Sequence, residues 1–166
     1  MTDAQQPIER IIGGTNMLLR DVHTEDAGSI AQLITEFTQL TTTAAQVRGR
    51  LARSQGIEHP ILAELDGNVA GFASLRLVNY LGEDAPYAEI SELFVSERYR
   101  RLGIARALMA ELERRARAAG ASSMAVLTAP DNDTAIALYR AMGFEEFSIA
   151  LQKWFTEERP YRESQE

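Results

Sequence analysis

The stretch from Val95 to Arg106, VSERYRRLGIAR, is the part of this chain best equipped for chemistry. It reads as the end of a strand, a basic loop carrying one glycine, and the start of a helix. A helix start presents backbone N–H groups and the positive end of the helix dipole, which together suit an anion such as a pyrophosphate. Gly103 lets a ligand come close to the backbone and Ala105 is small enough for the same approach, while Arg100, Arg101 and Arg106 add positive charge. The spacing is neither that of a P-loop, G-x-x-x-x-G-K-S/T, nor that of the dinucleotide fingerprint, G-x-G-x-x-G. On these residues alone, a basic helix start with a glycine cap is the plain alternative.

Acids and a phenol complete the set of candidates. Glu89 and Glu92 lie on one predicted strand, EISELFV. In a regular strand an offset of three puts them on opposite faces, so at most one faces a shared cleft unless a bulge intervenes. Tyr139 has an ordinary pKa of about 10 and can donate a proton at neutral pH, although an aromatic on an amphipathic helix can equally be core. Asn132 beside Asp131 reads as a helix N-cap pair. His23 and His59 are far apart in sequence, no H-x-x-x-H spacing occurs and the chain has no cysteine, so no metal site is expected.

These residues need elements to hold them. The predicted order is β-α-α-β-β-β-α-β-α-β, a mixed α/β domain. The strands begin with Met17 to Val22. Thr24-Glu25-Asp26 precedes a helix carrying Ile30, Leu33, Ile34 and Phe37, and residues 44–55 form a second. Ile61 to Val78 reads as a hairpin about Asp66-Gly67, a pair suited to the positive φ angles of a type I′ turn. Ile104, Leu108, Leu112 and Ala116 repeat every four residues along a helix stopped by Gly120. A strand over Ser123 to Thr128, a helix from Asp131-Asn132 through Met142, and a closing strand over Phe147 to Phe155 complete the order. Residues 1–15 and 157–166 read as flexible polar tails around a folded body of residues 16–156.

Composition sets the outer bounds. The chain has 166 residues, 45% hydrophobic and 25% charged, with a formal net charge of -7. Those values fit one globular domain rather than a disordered chain. The acidic balance disfavours sequence-independent nucleic-acid binding and suits a cationic partner. With no long apolar run and no signal architecture at the N-terminus, no membrane partner and a cytoplasmic location are expected.

Two segments together resemble the GNAT N-acetyltransferase superfamily. Arg100-Arg101-Leu102-Gly103-Ile104-Ala105 matches its Q/R-x-x-G-x-G/A acyl-CoA pyrophosphate loop, with Arg101 standing where many members have glycine. The loop follows a strand ending Leu93-Phe94-Val95 at the family's spacing. Downstream, Asn132 to Phe144 matches N-x-x-A-x-x-L-Y-x-x-x-G-F at each named position. The resemblance implies a mostly antiparallel, twisted central sheet with a splay between two strands, flanked by helices. It also implies direct transfer of an acetyl group from acetyl-CoA to a primary amine of a small molecule or protein. By the same carry-over, the pantetheine arm lies along Leu93, Phe94 and Val95, and the pyrophosphate meets the N–H groups of Arg101 to Arg106. Asn132 touches the CoA arm and Tyr139 sits near its sulfur, and a homodimer is compatible with the family. Trp154 in the predicted closing strand reads by default as packing, with an acceptor-pocket or dimer-contact role as the alternatives. Family branches place the general base at positions corresponding to Glu89 or to Glu92, and we expect Glu92. The branch acting on protein N-termini has a glutamate where this chain has Leu127. Alternatives are a catalytically silent acyl-CoA sensor and a partner-binding domain on the same fold.

Overall fold

A computed structural model of the chain describes residues 6–12 and 14–155. Two compact units make up the chain, Met1–Thr128 and Ala129–Glu166. The first begins with a hairpin of β1 (Ile8–Ile12) and β2 (Thr15–Asp21), followed by helices α1 (Ala27–Thr38) and α2 (Ala44–Ser54). Strands β3 (Glu58–Leu65), β4 (Asn68–Val78) and β5 (Tyr87–Val95) come next, then helix α3 (Ile104–Ala118) and strand β6 (Ser123–Val126). All six strands form one sheet in sequence order, antiparallel from β1 to β5, with β6 parallel to β5. A parallel neighbour cannot be reached by a tight turn, and α3 is the required crossover.

Local chemistry sets several boundaries. Asp66 and Gly67 adopt φ of 49° and 76°, both positive as a type I′ turn demands, and pin Leu65 opposite Asn68. Thr43 caps α2 through a reciprocal pair of hydrogen bonds. Its backbone N–H donates to Gln46 Oε1 at 2.8 Å, and its hydroxyl accepts from the Gln46 N–H at 3.3 Å.

The sheet is covered on both sides in the first unit. Leu62, Phe72 and Phe94 are successive register partners across β3, β4 and β5, so they share a face. They pack with Ala27, Ile30, Ala31 and Leu33 of α1 and Val47 of α2. Residues between them, such as Ile61 and Ala73, point the other way by strand alternation and are fully buried. On that side α3 lies against β3, β4 and β5, burying Ile104, Leu108, Met109 and Leu112. Glu111 is also buried on α3, 2% exposed. It survives there because Arg114 and Arg115 both donate hydrogen bonds to it, and Arg115 continues to Asp21 of β2. Burial alone pushes the Glu111 carboxyl up, but the two guanidinium groups outweigh it and hold the group below its ordinary range.

Two expectations differ from the structure. Ile8–Ile12, read as part of a tail, is a strand paired with β2 from Ile8↔Leu19 to Ile12↔Thr15. Its burial is slight, with Ile11 80% exposed, so little hydrophobic pattern announced it. The closing strand is absent: residues 145–155 carry no strand, and Phe147, Ile149 and Leu151 are exposed. Alternation of apolar residues describes a strand only when a neighbouring edge takes its hydrogen bonds, and no ladder reaches this segment among the described residues. The predicted tail at 157–166 lies outside the described residues. In the second unit, α4 (Asp133–Arg140) starts at Asn132, whose Oδ1 accepts from the Ala135 N–H at 3.1 Å.

Removing one partner of a buried charge cluster leaves the other charges without compensation, at a cost of about 3–5 kcal/mol. Glu111→Ala is therefore expected to lose about 3 kcal/mol of unfolding free energy in denaturant titrations at pH 7. Because the folded-state carboxyl is held below its ordinary pKa, its contribution is present above that pKa and disappears as pH falls through the lower folded-state value. The gap between parent and variant should narrow below about pH 4.

Candidate active site

The site begins where β5 loses a neighbour. β6 pairs with β5 only from Tyr87↔Ser123 to Ile90↔Val126, whereas β5 runs on to Val95. Leu93, Phe94 and Val95 are paired with Ala73, Phe72 and Gly71 of β4 on one edge, and beyond Ile90 the other edge has no β6 partner. Gly71 matters here. A Cβ at this position would meet the Phe94 carbonyl oxygen at 2.6 Å, so only glycine lets β4 come this close to the unpaired half of β5.

The chain leaves this open edge directly for the start of α3. Ser96 is buried, and its N–H donates to the Ala70 carbonyl at 3.0 Å. Residues Glu97–Tyr99 form one 3-10 turn. Arg100 folds back: its Nε donates to the Val95 carbonyl at 3.3 Å and its guanidinium pairs with Glu97. Arg101 and Gly103 then adopt φ of 65° and 82°, and α3 starts at Ile104 with no side-chain cap on its first turn. Leu102 is exposed, Ile104 is buried on the far face of the sheet, and Ala105 is half-buried. Arg101 and Arg106 are exposed, without a hydrogen bond or ion pair among the described residues. A Cβ at Gly103 would meet nothing within 4 Å, so open space faces the backbone where an anion would lie.

A bulge decides where the acids point. Ser74 of β4 faces Glu92 and Leu75 faces Ile90, leaving Ser91 as an extra residue in β5. Glu89 therefore pairs with Arg76 and Glu92 with Ser74, and Arg76 and Ser74 share one face of β4. The three-residue offset, which in a regular strand separates the two glutamates, here puts them on the same face, the face covered by α1 and α2.

Their environments differ. Arg76 donates to Glu89 Oε1 at 2.6 Å and the Tyr87 hydroxyl donates to Oε2 at 3.2 Å, so both Glu89 oxygens are engaged. Tyr87 is pushed up to about 12 by burial and by hydrogen bonding with Tyr80 and Glu89. Glu92 accepts no side-chain hydrogen bond among the described residues. It lines a cavity of about 220 Å³ between the sheet and helices α1 and α2. Glu92 is exposed to solvent on one side; lost hydration where it lines the cavity and the negative charge of Glu58 raise its carboxyl above the ordinary range, against a smaller opposing pull from Arg50.

Sequence reasoning missed Glu58, Ser74, Ser91 and Arg50. Glu58 sits at the start of β3, and its Oε2 accepts hydrogen bonds from Ser74 at 2.6 Å and Ser91 at 2.5 Å. The predicted strand began at Ile61, and no local pattern shows that Glu58 will lie beside a bulge formed more than thirty residues later. In the second unit, the Tyr139 ring of α4 packs on Phe144 with centroids 5.8 Å apart, and burial raises its phenol above the ordinary value.

Residues 25–144 match the family model described as the acetyltransferase (GNAT) family, and the chain belongs to that family. No curated protein matches. Among solved structures, aminoglycoside N-acetyltransferase AAC(6')-Iy in complex with CoA is similar, with TM-score 0.74 and 21% identity over 87% of this chain and 98% of that one. Glucosamine-6-phosphate N-acetyltransferase from Arabidopsis thaliana gives 0.72 and 18% over 84% and 99%. A ribosomal-protein-alanine N-acetyltransferase from Brucella melitensis biovar Abortus 2308 gives 0.71 and 18% over 83% and 99%. At these identities the likeness is one of fold, and the three proteins are named for chemically different acceptors.

The left-handed Arg101 supplies a backbone test. A residue with a Cβ is strained at φ 65°, by roughly 1–2 kcal/mol, and glycine is not. Arg101→Gly should raise stability by up to about 1 kcal/mol in thermal unfolding once the flexibility glycine gives the unfolded chain is subtracted. Arg101→Val, β-branched at the same φ, should lower it.

Proposed function

We propose that the protein transfers an acetyl group from acetyl-CoA to a primary amine. The observation that carries this reading is the continuous main-chain track from the unpaired edge of Leu93–Val95 into the glycine turn before α3. An open strand edge offers N–H and C=O groups to the amides of a pantetheine arm, except that Arg100 must release the Val95 carbonyl before a ligand can use it. The uncapped first turn of α3 offers its N–H groups and dipole to a pyrophosphate, with Arg101 and Arg106 adding charge. The residues present therefore suit CoA.

The chemistry follows from what each group can do. An amine substrate arrives mostly as ammonium and must lose a proton to become a nucleophile. Glu92 can take it, because its carboxylate is not occupied by hydrogen bonds and its raised pKa makes it a stronger base. Glu89, bound by Arg76 and Tyr87, is a structural acid in this reading. A β5 backbone N–H can stabilise the oxygen that becomes negative when nitrogen attacks the thioester carbon. Tyr139, kept protonated by its raised pKa, carries the proton-donor role toward the departing thiolate that the family pattern assigns to it. Asn132 keeps its amide NH₂ for the CoA arm while its oxygen caps α4.

Calorimetry with acetyl-CoA tests cofactor recognition, and a free-thiol assay tests turnover without background, since the chain has no cysteine. Gly103→Glu should abolish detectable binding by obstructing the turn and repelling the diphosphate. Tyr139→Phe and Glu92→Gln should each lower kcat about 100-fold while acetyl-CoA affinity stays within a few-fold. Since Glu92 acts deprotonated, kcat/KM should fall as pH drops through its raised pKa, and Glu92→Gln should remove that limb. Binding of acetyl-CoA without thiol release on any amine would instead mark a sensor.

A further inference from the structure

We infer that the cavity under α1 and α2 selects a compact primary amine with one cationic head and one apolar substituent, the head lying between Glu58 and Glu92. This rests on the acetyltransferase reading above and adds the class of acceptor.

The cavity lining has two chemically distinct parts. Ile30 and Ile34 of α1, Val47 and Leu51 of α2, and Phe72 of β4 make its apolar part, beside which α2 adds the Arg50 guanidinium and the Ser54 hydroxyl, whose hydrogen goes to the Leu51 carbonyl. Glu58, Ser74, Ser91 and Glu92, neighbours across β3, β4 and β5, make its acidic part. Both serines spend their hydroxyl hydrogens on Glu58 Oε2, which fixes the carboxylate in place. The nearest cation to Oε1 is Arg76 at 3.9 Å, too far for a hydrogen bond, so Oε1 is available to an ammonium. Glu58 and Glu92 thus bring two negative charges to the part where the reactive nitrogen must sit.

Size and polarity narrow the acceptor further. A volume of about 220 Å³ is below the roughly 300–1,000 Å³ of sites for drug-sized ligands. Several hydroxyl groups set against the apolar part would lose more water than Arg50 and Ser54 could replace, which disfavours amino sugars. A second ammonium placed there would meet the Arg50 guanidinium and no further carboxylate, which disfavours polyamines. A short alkyl or aryl group fits both limits.

Proton and bond changes balance within this arrangement. The bound ammonium gives one proton to Glu92, and its lone pair forms the N–C bond as the C–S bond breaks. The nitrogen's second proton and the proton taken up by the thiolate then leave one net proton for solvent, with amide and free CoA as products. Around Glu92 the facing charged groups are Glu58 on β3, Arg50 on α2, Arg76 on β4 and Glu89 on β5.

The experiment uses the full chain with saturating acetyl-CoA and the free-thiol assay on propylamine through hexylamine, phenethylamine, spermidine and kanamycin. Expected is a rise in kcat/KM of about ten-fold per added methylene until the cavity is full. The best monoamine should exceed spermidine and kanamycin by at least about 100-fold. Leu51→Phe, with an unchanged melting temperature, should move the optimum to a shorter chain. Glu58→Gln should raise KM for the amine more than it lowers kcat and shift the acid limb of kcat/KM to lower pH, because a negative neighbour of Glu92 is gone. Brisk thiol release with a flat alkylamine series, or with kanamycin or spermidine preferred, overturns this inference and leaves the transferase reading intact. Failure to bind acetyl-CoA in calorimetry overturns both.

Discussion

One extra residue in β5 governs the chemistry available to the first unit. Ser91 has no partner of its own on β4, and three consequences meet at that point. The ladder to β6 stops at Ile90, immediately before it, so the strand beyond keeps a free edge. Glu92 turns onto the same face as Glu89 and looks into the cavity. The Ser91 hydroxyl reaches Glu58 and completes a two-serine clamp on a carboxylate brought in from β3. A bulge costs ladder hydrogen bonds and bends the strand, and it persists where neighbours over-determine it. Here Gly71 supplies part of that constraint by letting β4 approach the carbonyl of Phe94.

The treatment of acids in the first unit separates scaffold from site. Asp26 and Glu64 both receive Arg20, Glu111 receives Arg114 and Arg115, and Glu89 receives Arg76. The Arg20 guanidinium holds Asp26 below the usual carboxylate range, as the arginines on α3 do for Glu111. Glu92, open to solvent on one side, moves the opposite way because lost hydration and the charge of Glu58 act on it without a hydrogen-bonded cation to offset them. These paired carboxylates hold neighbouring elements together, strand to strand for Glu64 and Glu89 and α3 to β2 through Glu111, Arg115 and Asp21. An unpaired carboxylate of raised pKa at a cavity wall is placed to exchange a proton.

Much of this was legible in the sequence because its signals are local. The Asp66-Gly67 turn, the four-residue stripe of α3, the Gly103 turn and the Asn132 cap each depend on residues within one or two turns of chain. The features that escaped are pairings. Ile8–Ile12 became a strand only through β2, and residues 147–155 show alternation without an edge to dock on. Ser91 and Glu58 could not be read at all, since a bulge is a mismatch between two strands and neither strand contains it alone. Glu89 and Glu92 would face apart in a regular strand, and the bulge, the stated exception to that rule, brings them to one face.

Amide hydrogen exchange, read with and without CoA, bears most directly on recognition through the main chain. Added CoA should slow exchange at the amides of residues 92–95 and 101–106 together, at a saturating concentration fixed by calorimetry. Saturation with both segments exchanging as fast as in the free protein would mean that the coenzyme is held elsewhere, and that the open edge of β5 is not its track.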